Sequence, residues 1–164
     1  MKPEVKIERR GAGKALVRRS SVTLSGIGPA IGEAFGEIYR HLGERGGRPA
    51  GPPFVVYPES PSPDRPFEIE ICAPVAGPVD APPGWQLREL PAAEVAALLH
   101  VGPYDSIGAS YAALTAWIEN QGRSPVGPPR EIYLSPPETP PDRIQTLIEI
   151  PVAAPEAPSA TGAP

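Results

Sequence analysis

The sequence predicts an α+β fold in which one strand–helix–strand–strand module is used twice, and three observations carry that prediction. The first is a repeat. Arg48-Pro49-Ala50-Gly51-Pro52-Pro53-Phe54-Val55-Val56-Tyr57 returns as Ser124-Pro125-Val126-Gly127-Pro128-Pro129-Arg130-Glu131-Ile132-Tyr133, and the closing tyrosines lie 76 residues apart. That spacing exceeds the unit of most solenoid arrays, so it describes duplicated domain halves. The second is an apolar stripe at helical spacing upstream of each motif. The third is an alternating strand downstream of each motif that ends in Pro-Val. Two such copies closing around a pseudo-two-fold axis create a cleft, where a small domain binds its ligands.

Each element has its own justification. Strand-like segments lead each copy, around Ala15–Leu24 and Val95–Val101. The first helical stripe is Ile27, Ile31, Phe35, Ile38 and Leu42, and the second is Ile107, Tyr111, Leu114, Trp117 and Ile118. Ser25 and Asp105 are the expected N-caps. Gly46 and Gly122 stand where left-handed C-caps belong, with prolines soon after. A short strand then ends at Tyr57 or Tyr133. The longer strands Phe67–Val75 and Ile144–Val152 follow. Alternation puts Phe67, Ile69 and Ile71 on the helix side, with Glu68, Glu70 and Cys72 on the other. In the second copy Thr146, Ile148 and Ile150 face the helix, and Gln145, Leu147 and Glu149 face away.

Composition sets the outer limits. A chain of 164 residues and 17.3 kDa is one domain, residues 1–152, with halves at about 4–75 and 84–152. The 26 prolines and 17 glycines mostly punctuate periodic segments, so they do not argue for general disorder. Residues 153–164 have no periodicity and no large apolar residue, and are expected to form a disordered Pro/Ala-rich tail. A net charge of −4 with no basic stripe argues against direct nucleic-acid binding. No apolar run is long enough to span a bilayer and no signal core opens the chain, so a cytoplasmic protein is expected. The single Cys72 excludes an internal disulfide.

The order Leu99-His100-Val101-Gly102-Pro103-Tyr104, the helix through Tyr111 and Trp117-Ile118, Gly127-Pro128-Pro129-Arg130-Glu131-Ile132-Tyr133-Leu134, and Ile148-Glu149-Ile150-Pro151-Val152 resembles the GyrI-like small-molecule-binding domain, also called the AraC or multidrug effector-binding domain. The resemblance runs from about Val5 to Val152. It implies a curved, mostly antiparallel sheet with two main helices and a central ligand cleft. Members of that family include effector domains of multidrug-responsive activators and stand-alone proteins that protect against toxins. Some stand-alone members hydrolyse cyclopropane-bearing alkylators. No helix-turn-helix pattern flanks the repeat, so the stand-alone type is expected. The resemblance also implies a glutamate four residues before the proline of each terminal Pro-Val. The first copy keeps it as Glu70, and the second has Leu147.

Candidate ligand-binding residues are Glu70, Glu149, Leu147, Tyr57, Tyr133, Tyr104, Tyr111 and Trp85. Carboxylates on one strand face would neutralise a lipophilic cation, and in a low-dielectric site would gain a raised pKa. Aromatic walls suit flat apolar ligands and cations alike. Glu68 and Glu149 also read as a solvated strand face, a reading favoured for Glu68, and Glu149 also as a substitute for the glutamate missing at Leu147. Tyr57 and Tyr133 either wall the cleft or close the ends of the core. Tyr104 is a lid residue or a contact at the helix start. Tyr111 borders the ligand or packs in the core, where Trp117 is expected. Trp85 is a rim aromatic or a cover over the sheet.

His41 and His100 have no third ligand nearby, so neither a metal nor any other cofactor is expected. Cys72 reads as a small buried thiol, since no histidine is adjacent to activate it. Gly11-Ala12-Gly13-Lys14 is too short for a phosphate-binding loop and reads as a turn. Two functions compete. One is sequestration or sensing of a lipophilic or cationic small molecule, with no catalysis, no nucleic acid, no membrane and no specified protein partner. The other is hydrolysis of a strained electrophilic ring by Glu70 or Glu149 with Tyr133. The missing glutamate at Leu147 favours binding.

Overall fold

The structure, a computed structural model, describes residues 4–136 and 138–153. The expected tail therefore lies outside the described residues, except for Ala153. Nine strands and two helices follow in the order β1 (Val5–Arg10), β2 (Gly13–Val22), α1 (Ile27–Arg45), β3 (Arg48–Pro49), β4 (Phe54–Val56), β5 (Phe67–Ala76), β6 (Gln86–Leu90), β7 (Ala93–Val101), α2 (Ile107–Asn120), β8 (Arg130–Tyr133) and β9 (Gln145–Pro151). They form one antiparallel sheet in the order β1-β7-β9-β8-β4-β5-β2-β6, with β3 pairing β5. The expected α+β duplication and antiparallel sheet are present.

The halves exchange their outer strands. β1 leads into β2 but pairs with β7, and β6 leads into β7 but pairs with β2. Neither edge strand was anticipated, because each is short and carries a solvent face. The helix starts also differ from expectation. A 3-10 turn precedes each α-helix, at Leu24–Gly26 and Tyr104–Ser106, and takes Ser25 and Asp105 inside itself. Thr23 caps the first turn by accepting the Gly26 N–H at 3.2 Å. Gly46 ends α1 in the left-handed region at φ 92° and donates to the Leu42 carbonyl.

The core divides by half and by face. Ile38 and Leu42 of α1 pack on Leu16, Val55, Ile69 and Ile71. Leu114 and Ile118 of α2 pack on Ala96, Leu98, Ile148 and Ile150. Ile148 is paired across the sheet with Glu131, and Glu131 with Val55, so both helices cover the same face. The opposite face buries a smaller cluster of Ala15, Val17, Phe54, Cys72 and Ile132.

The two halves meet at β4 and β8. Phe54 faces Ile132, Val56 faces Arg130, and Val55 faces Glu131 between them. The Tyr57 N–H donates to the Pro129 carbonyl and the Tyr133 N–H to the Pro53 carbonyl, both at 3.1 Å. The repeat offset maps these two bonds onto each other. The pseudo-two-fold axis therefore passes through the Val55–Glu131 pair.

Candidate functional site: a carboxylate on the pseudo-two-fold axis

Glu131 is a buried carboxylate on the helix side of β8. It shares that face with Tyr133, two residues on. The Tyr111 hydroxyl, from α2, donates to Glu131 Oε2 at 2.6 Å, and the Tyr133 hydroxyl donates to Oε1 at 3.1 Å. Tyr57 reaches across the axis, its hydroxyl 3.0 Å from that of Tyr133. The Tyr133 proton is already committed to Glu131, so Tyr57 is the donor in this pair. Tyr104 stands edge-on to Tyr133, ring centroids 6.2 Å apart, and remains half exposed at the start of α2. The β4 and β8 strands, the 3-10 turn and α2 thus converge on one carboxylate.

Burial pushes the Glu131 pKa up, and the tyrosine hydroxyls and the nearby His100 only partly pull it back. Burial likewise raises the pKa values of Tyr57, Tyr111 and Tyr133, and the Glu131 charge adds to each rise, so all three stay protonated donors. His100 is buried beside the site. Its Nδ1 lies 2.8 Å from the Ser110 hydroxyl and its Nε2 lies 3.0 Å from the Pro103 carbonyl. A carbonyl only accepts, so Nε2 carries a proton. Between His100 and Tyr133 in the sheet sits Thr146, fully buried, whose hydroxyl has no hydrogen-bond partner among the described residues. Among those residues no cluster of three or more metal-type ligands occurs.

The structure brings Tyr57, Tyr104, Tyr111 and Tyr133 together, and leaves the other expected site residues elsewhere. Glu70 and Glu149 lie on the opposite face of the sheet, apart from the tyrosines. Glu70 is held by Arg19 at 3.2 Å and Arg88 at 3.0 Å, and Glu149 by Arg10 at 3.0 Å and Arg130 at 2.8 Å. The tyrosine hydroxyl and the two carboxylates of the hydrolase scheme therefore never share one site. The cause is the strand pleat: Glu70 and Glu149 alternate with the helix-facing Ile69, Ile71, Ile148 and Ile150. Leu147 lies on the same far face and lines a hollow of about 350 Å³ with Leu99 and Lys6. Trp85 is buried against the α1 core, where its indole N–H donates to Glu37 at 2.8 Å.

Sequence reasoning missed Glu131, although two signals for it were present. It stands two residues before Tyr133 on the same strand face, and it replaces Val55 at the equivalent place in the repeat. Cys72 is buried, with its pKa pushed up to about 12 chiefly by that burial, and so is an inert thiol.

The fold is thus an open antiparallel sheet with two helices on one face and a buried carboxylate at its symmetry axis. The chain belongs to the GyrI-like small molecule binding domain family, whose profile matches residues 3–153. Among solved structures it is similar to the EcmrR C-terminal domain, at 21% identity and a TM-score of 0.81 over 93% of this chain and 99% of that one. It spans 57% of the EcmrR chain seen in a complex with DNA. It also resembles SAV2435 bound to tetraphenylphosphonium, at 13% identity and a TM-score of 0.65 over 92% of this chain and 94% of that one. A hydrolase from Listeria innocua matches at 17% identity and a TM-score of 0.60, covering 90% and 92% of the two chains. Among curated proteins none matches. No helix among the described residues is long and apolar enough to cross a membrane.

Proposed function

We propose that this domain captures a lipophilic organic cation at Glu131, with Tyr57, Tyr104, Tyr111 and Tyr133 as its aromatic wall. The observation that carries this reading is a buried carboxylate that, among the described residues, has hydroxyl partners but no salt-bridge partner. Such a group is destabilised by its own charge, and a desolvated cation relieves that cost. Tyrosine faces add cation–π attraction without a competing charge. Tyr104, half exposed, is the natural point of entry. The tetraphenylphosphonium held by one structural neighbour is a cation of this class.

The test is calorimetric titration with tetraphenylphosphonium. Wild-type protein is expected to bind it, and Glu131→Gln to bind it far more weakly. Affinity should fall as pH drops through the Glu131 pKa, which burial raises, because protonation removes the charge. Undiminished binding by Glu131→Gln would overturn the assignment.

A hydrolytic reading has one supporting observation, the contact between the Tyr133 hydroxyl and Glu131. In that reading Glu131 deprotonates a water that attacks the strained ring, and a tyrosine O–H protonates the departing atom. Glu70 suits the role of base poorly, since Arg88 and Arg19 hold its pKa down against the effect of burial. Multiple turnovers of a cyclopropane-bearing alkylator, lost in Glu131→Gln, would establish this reading over pure binding.

A further inference from the structure

We propose that the hollow beside the β1–β2 turn, on the sheet face away from the helices, is a second ligand site that takes a small organic anion with an apolar body. The hollow measures about 320 Å³, and Arg10, Lys14, Arg130, Phe54, Leu90 and Ile132 are among its walls. No carboxylate lines it among the described residues. Lys14 turns its ammonium to the Gly77 carbonyl at 2.7 Å, and Glu149, which binds Arg10 and Arg130, offsets one of the two guanidinium charges. The guanidiniums therefore leave the hollow a positive excess of one in a chain whose net charge is −4. A local field of that sign draws in anions against the overall charge of the molecule.

The donors inside it are incompletely used. Arg10 gives Nη1 to Glu149, but its Nε is buried and has no acceptor among the described residues. Arg130 gives Nε to the same Glu149 oxygen and stacks its guanidinium over Phe54, 4.1 Å from the ring centroid. Burial lowers the Arg130 pKa despite Glu149, so one shared carboxylate leaves its charge under-compensated. A carboxylate or sulfonate would supply the missing acceptor oxygens. Phe54, Leu90 and Ile132 would cover an aromatic or aliphatic body. Gly11-Ala12-Gly13 forms the rim, giving that turn a role beyond chain reversal. This site shares β8 with the tyrosine site but lies on the other face: Arg130 and Ile132 point one way, Glu131 and Tyr133 the other.

The experiment is a titration of the isotopically labelled full chain with naphthalene-2-sulfonate, followed by amide NMR. Saturable shifts are expected at Gly11, Gly13 and Gly51. Arg130→Met should weaken binding about ten-fold through loss of a charge-assisted contact. That variant also leaves Glu149 short of a partner, so Ala12→Glu provides a second test at an exposed rim position. It should weaken binding about five-fold by adding a like charge. The neutral analogue naphthalene-2-methanol should bind about ten-fold more weakly than the sulfonate. Shifts confined to Val55–Tyr57 and Glu131–Tyr133 would overturn the proposal. So would equal affinity for the neutral analogue, unchanged affinity in Ala12→Glu, or inorganic phosphate binding as well as the naphthalene sulfonate.

Discussion

The two faces of the central sheet handle carboxylates in opposite ways. On the face away from the helices, one row across four strand pairings reads Glu149, Arg130, Val56, Glu70, Arg19. Each carboxylate in that row is held by two guanidiniums. In the adjacent row, one residue away on each antiparallel strand, the helix side reads Ile148, Glu131, Val55, Ile71. Its single carboxylate is hydrogen-bonded only by hydroxyls among the described residues. The pKa values diverge accordingly. Burial would raise Glu70, but Arg88 and Arg19 outweigh it and the value falls; burial raises Glu131 and nothing outweighs it. A carboxylate with guanidinium partners is consumed by the fold. One with hydroxyl partners keeps a charge to offer a ligand.

The largest effect expected from breaking this contrast is on stability. Glu149→Gln removes the one carboxylate shared by Arg10 and Arg130, which leaves two confined cations facing each other. A loss of about 3 kcal/mol in unfolding free energy is expected, measured by urea denaturation. The variant that remains folded should still bind tetraphenylphosphonium normally, because Glu149 is on the wrong face. On the other face, Glu131→Gln should cost about 2 kcal/mol of binding, roughly a thirty-fold loss of affinity, with stability held or raised. If Glu149→Gln lost affinity and Glu131→Gln lost stability, the two faces would have exchanged roles.

The sequence carried the frame of this molecule clearly and its chemistry less so. Helical stripes such as Ile31, Ile38 and Leu42 could be read directly, because burial imposes a period that the residues must obey. Strand alternation correctly separated Ile69 and Ile71 from Glu70 and Cys72. It could not say which of the two faces held the ligand. That depends on which face the helices cover and on where the arginines of other strands fall. Arg19, Arg88, Arg10 and Arg130 are remote in sequence from the glutamates they hold, so no local pattern revealed that Glu70 and Glu149 were already partnered. The exchange of β1 and β6 was hidden for a related reason: edge strands pair by long-range register, which leaves little local signature. Glu131 was accessible in principle, through its shared face with Tyr133 and its mismatch with Val55 in the repeat.

The pH dependence of stability should run in opposite directions for the two faces. Glu70 has a folded pKa below its unfolded value, so its stabilising contribution is present above the unfolded pKa and lost as pH falls through the folded one. Glu70→Gln should therefore destabilise by about 1 kcal/mol near pH 7, a modest figure because Arg19 is largely exposed, and the difference should close in acid. Glu131 has a folded pKa above its unfolded value, so its favourable contribution is present in acid and lost as pH rises through the folded pKa. Glu131→Gln should match wild type in acid and gain on it towards neutrality. Urea midpoints at several pH values between about 3 and 8 would show whether the two curves cross in this sense.

The smallest expected effect probes the hydroxyl relay itself. Tyr111 touches Glu131 directly, whereas Tyr57 acts through Tyr133. A hydroxyl that accepts one hydrogen bond becomes a better donor in the next, so Tyr57 strengthens the Tyr133–Glu131 contact without reaching the carboxylate. Tyr57→Phe should cost about 0.5–1 kcal/mol of stability and change tetraphenylphosphonium affinity by only about two-fold. Tyr111→Phe should shift the pH at which binding is lost further upward than Tyr57→Phe does, because it strips a direct donor from the ionised form. Equal upward shifts from the two variants would mean that Tyr57 contacts the carboxylate directly when ligand is bound, and the site would then be symmetric about its axis in function as well as in position.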